Sequence, residues 1–255
     1  MCRLLGIYGQ VNNWREIVTA FSIQAETGNL PPGKQDDPGH KDGWGITISN
    51  CSQTAMVPLI RQLGSAYGSA GYREALNSLP DQPEILLCHL RKASDNIPIT
   101  LSNTHPFVDH GWGVIHNGTI YQAQSLPRDP HLVFTSEDSD TEHLFHYLLT
   151  KIKQHPTDMT LSIGIADAVT TFALDYTALN LMLSNGRDLY VLRKFKKHAA
   201  YYTLYYYQLA EGIILCSEPI DSNGLNQAGW TLLANNSLLK IHGSPPQIEE
   251  IKISQ

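Results

Sequence analysis

The sequence has little cysteine, and its thiols do not follow the spacing of a metal or redox site. The four cysteines are Cys2, Cys51, Cys88 and Cys216, and no two of them form a C-x-x-C pair. A chain of 255 residues with so few cysteines is not a disulfide-stapled scaffold. We therefore predict free thiols in a reducing, cytoplasmic compartment, with neither a metal nor a cofactor.

A basic surplus and a long apolar run are also missing. Lys and Arg total 18 against 24 Asp and Glu, whereas a nucleic-acid binder normally carries a basic excess to neutralise phosphates. The most apolar stretch, 168–183, contains Asp175, Asn180 and three threonines, whereas a membrane span takes about 20 apolar residues. The start of the chain lacks a secretory signal. We predict no nucleic-acid and no membrane partner.

The spacing of apolar residues indicates one α+β domain over residues 1–255. Strand patterns come in runs and do not alternate with helices, which favours a mixed sandwich over a doubly wound parallel sheet. No stretch has the composition of an interdomain linker. The predicted helices cover 14–27, 69–79 and 139–153, and a further helix is predicted beyond Leu161. The predicted strands cover 4–9, 44–49, 85–88, 113–115, 119–121, 179–184, 189–193, 201–209 and 212–217.

Cys2 is the first residue that suggests chemistry. Removal of Met1 would leave a cysteine with a free α-amine, whose pKa of roughly 7.7–8.0 makes a good share of it neutral at cytoplasmic pH. Such an amine can act as general base for its own thiol, usually through a water, which is the N-terminal nucleophile arrangement. Taken alone, a cysteine at position 2 usually has no catalytic role.

The pair Asn117-Gly118 lies between two apolar runs, which is typical of a tight hairpin turn. The same pair can form an oxyanion hole, with an Asn side-chain N–H and a Gly backbone N–H aimed at one developing charge. The two interpretations are compatible, because a turn would hold both donors in place.

Charged side chains at the ends of two elements could hold a charged ligand. Arg91 follows a predicted strand and suits a carboxylate bound through two parallel hydrogen bonds, although a surface arginine fits equally well. Ser139 and Glu142 have capping-box spacing at a helix start. That leaves Asp140 free to bind an ammonium group or to remain solvated.

These residues occur together, in one order, within about the first 150 positions. The set resembles the class II glutamine amidotransferase domain, through the segments Met1-Cys2-Arg3-Leu4-Leu5-Gly6, Asp42-Gly43-Trp44-Gly45-Ile46, Leu90-Arg91, Asn103-Thr104-His105-Pro106, His116-Asn117-Gly118 and Ser139-Asp140-Thr141-Glu142. The rest of the chain matches only loosely, through Cys216-Ser217-Glu218-Pro219 and Trp230.

The resemblance implies an N-terminal nucleophile hydrolase-like fold, which is a four-layer αββα sandwich of mainly antiparallel sheets. It also implies that Cys2 is the nucleophile and that Asn117 and Gly118 form the oxyanion hole. The implied reaction is attack on the γ-carboxamide of glutamine, release of ammonia and hydrolysis of a glutamyl thioester.

The same resemblance implies a substrate-binding set. Arg91 would hold the α-carboxylate of a glutamyl group, Asp140 would hold its α-ammonium, and His105 is expected to bind substrate as well. Because the chain leaves no room for an acceptor domain, we expect a free-standing member of the family, for which an oligomer remains open.

Three hypotheses follow. The first is a glutamine amidotransferase that passes ammonia to a separate acceptor subunit. The second is an amidohydrolase of a larger γ-glutamyl compound, as in ergothioneine synthesis or glutathione breakdown. The third is a non-catalytic binding protein, which the presence of Cys2, Asn117 and Asp140 counts against. A closed site around free glutamine favours the first, and an open cleft beside residues 29–43 favours the second.

Overall fold

The computed structural model describes residues 2–30, 32–33, 38–49, 55–57, 59–94, 97–155 and 158–253. Its helices are α1 (Trp14–Phe21), α2 (Gln24–Thr27), α3 (Ala70–Ser78), α4 (Asp140–Lys153) and α5 (Asp158–Thr170). Its strands are β1 (Arg3–Gly9), β2 (Gly43–Ser49), β3 (Leu59–Gln62), β4 (Ile85–Arg91), β5 (Phe107–Asp109), β6 (Trp112–Asn117), β7 (Asn180–Ser184), β8 (Leu189–Arg193), β9 (Tyr205–Gln208), β10 (Gly212–Cys216), β11 (Thr231–Leu232), β12 (Ser237–His242) and β13 (Gln247–Ile251).

The strands form two antiparallel sheets. The first has the order β11-β9-β10-β1-β4-β2-β3, and the second has the order β13-β12-β8-β7-β6-β5. Strands β1 and β4 are neighbours inside the first sheet, and β6 and β7 are neighbours inside the second. Each of these four strands therefore has hydrogen-bonded partners on both sides, which makes the centre of each sheet a rigid platform.

Three apolar clusters define the layers of the described structure. One lies between the sheets and includes Leu4, Leu87, Ile115 and Met182. A second packs the outer face of the first sheet against α1 and α3, and a third packs the second sheet against α4 and α5. The result is the predicted αββα sandwich. Burial on both faces explains why the inner strands are continuous apolar runs, without the alternation of a half-exposed strand.

The prediction of one continuous helix over 14–27 is wrong, because the structure has two helices separated at residues 22–23. Helix α1 ends at Phe21 and α2 begins at Gln24. The hydroxyl of Ser22 donates to the carbonyl of Thr19 at 2.6 Å, and the backbone N–H of Ser22 bonds to the same oxygen. A serine hydroxyl that competes for backbone groups favours such a break.

The strand predicted over 201–209 begins only at Tyr205. The chain just before it is held in a turn by Arg193, whose buried guanidinium donates to the carbonyls of Ala199, Tyr202 and Leu233. Three backbone oxygens that would otherwise lack donors are satisfied by one side chain, and this favours the turn over a longer strand.

Other predictions have mixed outcomes. The predicted strand over 119–121 is reduced to a single bridge between Ile120 and Tyr176. Strands β3, β5, β11, β12 and β13 carry weak signals and were not predicted. Residues 31 and 34–37, which belong to the segment 29–43 beside which an open cleft is expected, lie outside the described residues, as do residues 95–96 and Cys51.

In the part of the chain that the structure describes, no helix is both long enough and apolar enough to cross a bilayer.

Candidate functional site

Strand pairing brings Cys2 beside Arg91. Strand β1 runs antiparallel to β4 with Arg3 opposite Leu90, so the preceding residue, Cys2, is opposite Arg91. Side chains alternate along a strand. Because Leu4 and Leu87 lie in the cluster between the sheets, Cys2 and Arg91 face the same gap.

Asn117 reaches this gap from the other sheet. It ends β6, two residues after Ile115, which faces the inter-sheet cluster. Its Oδ1 accepts a hydrogen bond from the backbone N–H of Cys2 at 2.9 Å. That bond fixes the orientation of the amide, so Nδ2 is the remaining donor. Nδ2 is buried and has no hydrogen-bond partner among the described residues.

Gly118 continues from Asn117 at the end of the strand. A Cβ atom at this position would overlap the carbonyl oxygen of Ala178 and lie 2.8 Å from Nε2 of His116. Only glycine lets the chain pass this close to its neighbour. The hairpin turn predicted at Asn117-Gly118 is wrong. A hairpin would pair Asn117 with a residue a few positions along the chain, whereas Asn117 pairs with Asn180 of β7.

Arg91 is buried, and its guanidinium is only partly satisfied. One terminal nitrogen, Nη2, donates to the carbonyl of Pro98 at 2.9 Å, while Nη1 has no partner among the described residues. Burial lowers the pKa of Arg91, and the neighbouring Cys2 and Asp42 oppose this shift. The side chain of Asp42 accepts from the N–H of Ala93 at 2.7 Å, which fastens the chain just after Arg91.

Asp140 is the first residue of α4. Its Oδ2 accepts a hydrogen bond from the backbone N–H of Ile120 at 2.7 Å. Its side chain is half-buried, and it approaches the end of β6 through Ile120, which follows Gly118 by two residues. The site therefore combines a thiol, an amide donor, a guanidinium and a carboxylate, drawn from both sheets and one helix.

The capping box predicted at this helix is wrong. Ser139 is the N-cap residue, but its side chain makes no capping hydrogen bond. The carboxylate of Glu142 instead accepts from the backbone N–H groups of Thr135 and Ser136, each at 2.7 Å. Glu142 thus orders the preceding loop, and Asp140 remains available at the helix start.

Three buried histidines lie on the Arg91 side of the site. The rings of His89 and His105 have centroids 4.2 Å apart, and His89 precedes Arg91 by two residues on the same strand face. Burial lowers the pKa of His40, His89 and His105 well below the usual histidine value. These imidazoles are therefore neutral at neutral pH.

Tyr201 and Tyr202 also belong to this region, although no sequence motif indicates them. Both are buried, and the hydroxyl of Tyr201 has no partner among the described residues. The ring of Tyr201 lies beneath the guanidinium of Arg3, 5.0 Å from its centre. Burial raises the pKa of both tyrosines, and Cys2 adds to the shift. The turn that carries this tyrosine pair is held by the hydrogen bonds from Arg193.

Sequence comparison finds relatives across most of the chain. The profile of the family described as glutamine amidotransferases class-II matches residues 1–206. The gamma-glutamyl-hercynylcysteine sulfoxide hydrolase of Mycobacterium tuberculosis (strain CDC 1551 / Oshkosh) is 24% identical over 200 residues, which cover 78% of this chain and 75% of that protein.

Two solved structures share the fold. A glutamine aminotransferase class-II domain protein from Silicibacter pomeroyi has a TM-score of 0.61 and 20% identity, covering 98% of this chain and 99% of that one. The glutamine phosphoribosylpyrophosphate amidotransferase of Bacillus subtilis has a TM-score of 0.65 and 17% identity, covering 99% of this chain and 50% of that one. This chain therefore spans half the length of the second protein.

The buried thiols of Cys88 and Cys216 provide a test of the packing of the first sheet. Burial raises the pKa of Cys88 and of Cys216 to about 12, so neither forms a thiolate readily. We expect both to react with iodoacetamide at pH 8 about a thousandfold more slowly than an ordinary thiol, since the thiolate is the reactive form. Peptide mass mapping of native and unfolded protein measures this. Rapid native labelling of either thiol would contradict their burial.

Proposed function

This chain belongs to the class II glutamine amidotransferases, and we propose that it cleaves a linear γ-glutamyl amide with Cys2 as the nucleophile. It is an enzyme of the amidotransferase and amidohydrolase type, so the non-catalytic hypothesis is set aside. The observation that carries the proposal is the bond from the Cys2 N–H to Oδ1 of Asn117, which leaves Nδ2 of Asn117 buried next to Cys2 and without a partner among the described residues.

The reaction proceeds in two acyl-transfer steps. After removal of Met1, the α-amine of Cys2 takes the thiol proton, usually through a water, and the sulfur attacks the γ-carbonyl carbon. The C–N bond breaks, and the nitrogen leaves as ammonia or an amine with the transferred proton. Water then attacks the thioester, releases glutamate and restores the thiol. Nδ2 of Asn117 and the backbone N–H of Gly118 would stabilise the oxyanion of both steps.

The two charged side chains fit the two charged ends of a glutamyl group. Arg91 is proposed to bind the α-carboxylate through the guanidinium edge that includes Nη1. Asp140 is proposed to bind the α-ammonium through Oδ1, because Oδ2 is already bonded to Ile120. His105 is proposed to line the same region, since its ring packs against that of His89, two residues before Arg91.

The leaving group is proposed to be ammonia from glutamine or an amine from a larger γ-glutamyl compound. The Mycobacterium tuberculosis relative is named for the second chemistry. A screen of γ-glutamyl amides for glutamate release would separate the two. For the first, a separate acceptor subunit would take up the ammonia. The free thiols of Cys2, Cys88 and Cys216 support a cytoplasmic location, where thiols stay reduced.

Asn117→Asp tests the oxyanion hole. The change keeps an oxygen that can accept from the Cys2 N–H, but it replaces the Nδ2 donor with a negative oxygen near the developing charge. We expect kcat to fall by at least about 10²–10³ with little change in melting temperature. Asn185→Asp is the matched control, because Asn185 follows the far end of β7 and its oxygen also accepts backbone N–H groups. A near-normal kcat in Asn117→Gly would show that Nδ2 of Asn117 does not stabilise the oxyanion.

Arg91→Lys and Asp140→Asn test the substrate-binding set. The first keeps the charge but loses the two-pronged geometry, and the second keeps the shape but loses the charge. Each should raise KM for a γ-glutamyl substrate by about tenfold or more, because each weakens a charge-assisted hydrogen bond. Arg73→Lys and the fully exposed Asp81→Asn are controls. Undiminished activity in both site variants would rule out the proposed roles.

A blocked N-terminus tests the nucleophile. An uncleavable extension before Cys2 would turn the α-amine into an amide without a basic lone pair, so glutamate release should be abolished at nearly unchanged melting temperature. A C-terminal tag should have neither effect. Mass spectrometry of untagged protein should show that Met1 is missing, and 6-diazo-5-oxo-norleucine should label Cys2 but spare Cys51, Cys88 and Cys216. Full activity with the extension intact is the contrary result.

A further inference from the structure

Asp140 is linked to His116 through the hydroxyl of Thr141. The hydroxyl oxygen lies 2.9 Å from Nδ1 of His116 and 3.3 Å from Oδ1 of Asp140. The other ring nitrogen of His116, Nε2, lies 3.1 Å from the carbonyl oxygen of Ala178. The second carboxylate oxygen, Oδ2, is held by the N–H of Ile120.

The positions of the protons follow from these partners. A carbonyl oxygen only accepts, so Nε2 of His116 carries a proton. The ring is buried, and burial lowers the pKa of His116 although Asp140 opposes the shift, so the ring is neutral at neutral pH. A neutral imidazole has a single N–H, which leaves Nδ1 as a bare acceptor. The Thr141 hydroxyl supplies the proton that Nδ1 requires.

The same proton is therefore withheld from Asp140. A hydroxyl has one proton and cannot donate to two acceptors at once. With that proton on the His116 side, Thr141 presents lone pairs to Oδ1 of Asp140, and this oxygen needs a donor from elsewhere.

We propose that His116 is a positioning residue for substrate recognition, because its Nδ1 takes the Thr141 proton that would otherwise occupy Oδ1 of Asp140. The carboxylate then stays open for the α-ammonium of the substrate, while Ile120 prevents its rotation. This inference rests on the proposed role of Asp140. In the opposite arrangement the hydroxyl would satisfy Oδ1 first, and the ammonium would have to displace a charge-assisted hydrogen bond.

Two matched substrates test the inference. γ-L-Glutamyl-p-nitroanilide and glutaryl-p-nitroanilide differ only in the α-amino group, so the ratio of their kcat/KM values reports recognition of that group alone. In His116→Phe the Thr141 proton loses its imidazole acceptor and turns to Asp140, and the ratio should fall about tenfold. In His116→Phe combined with Thr141→Val that proton is gone, so the ratio should return to within about twofold of the wild-type value.

The double variant separates this mechanism from damage to the fold, because both variants carry the same phenylalanine. Thr141→Ser, which keeps the hydroxyl, should preserve the ratio. An unchanged ratio in His116→Phe, or a further fall in the double variant, would overturn the inference. Nitrogen-15 NMR of the wild-type protein at pH 7 gives a second measurement that needs no variant. It should show a neutral His116 protonated at Nε2, and a ring protonated at Nδ1 would also overturn it.

These measurements distinguish failure of the role inferred for His116 from failure of the proposed function. A wild-type enzyme that cleaves neither anilide would contradict the proposed function. The ratio of affinities for L-glutamate and glutarate, which differ in the same amino group, would then be measured across the same variants. A tenfold fall that the double variant reverses would support the inference, and an unaltered ratio would overturn it.

Discussion

The hydrogen bond between the N–H of Cys2 and Oδ1 of Asn117 ties the start of the chain to the opposite sheet. It spans 115 positions of sequence, and it joins the residue just before β1, a central strand of the first sheet, to the last residue of β6 in the second. Both partners are buried. Without this bond each polar group would be buried with no hydrogen-bond partner, which costs about 1–3 kcal/mol of stability for each group. The location of the thiol is therefore set by the packing of the whole sandwich.

The rest of the site follows from strand alternation at that junction. Residues of β6 that face the gap between the sheets include Ile115 and Asn117, whereas Val114 and His116 face α4. One strand end thus presents an amide to the backbone N–H of Cys2 on one side and an imidazole to Thr141 at the helix start on the other. Adjacent residues of a single strand therefore connect Cys2 with the helix start that carries Asp140.

The sequence predicted the inner strands and most of the residues that the structure brings together around Cys2, for physical reasons that also explain where the predictions are wrong. Strands such as β1 and β4 are buried on both faces, so their apolar runs are visible without knowledge of their partners. Asn117-Gly118 has the strongest local hairpin signal, yet Asn117 pairs with Asn180 and no hairpin forms. The partner lies too far along the chain for a local pattern to indicate it. The turn that carries Tyr201 was missed for a similar reason, since it depends on Arg193. Local spacing contains no information about such distant partners.

Two buried arginines, Arg3 and Arg91, lie near Cys2 and have different partners. Arg3 is buried next to Cys2, but its Nη2 donates to Glu218 at 2.8 Å, and Glu218 follows the loosely matching Cys216-Ser217 segment. That contact gives the late segment a physical role, because Glu218 balances the charge of the buried Arg3 guanidinium. His89 and His105 are neutral through burial, so they supply polar volume without positive charge. Arg91 faces the gap between the sheets, and its Nη1 has no partner among the described residues, which is why the proposed carboxylate contact is assigned to it.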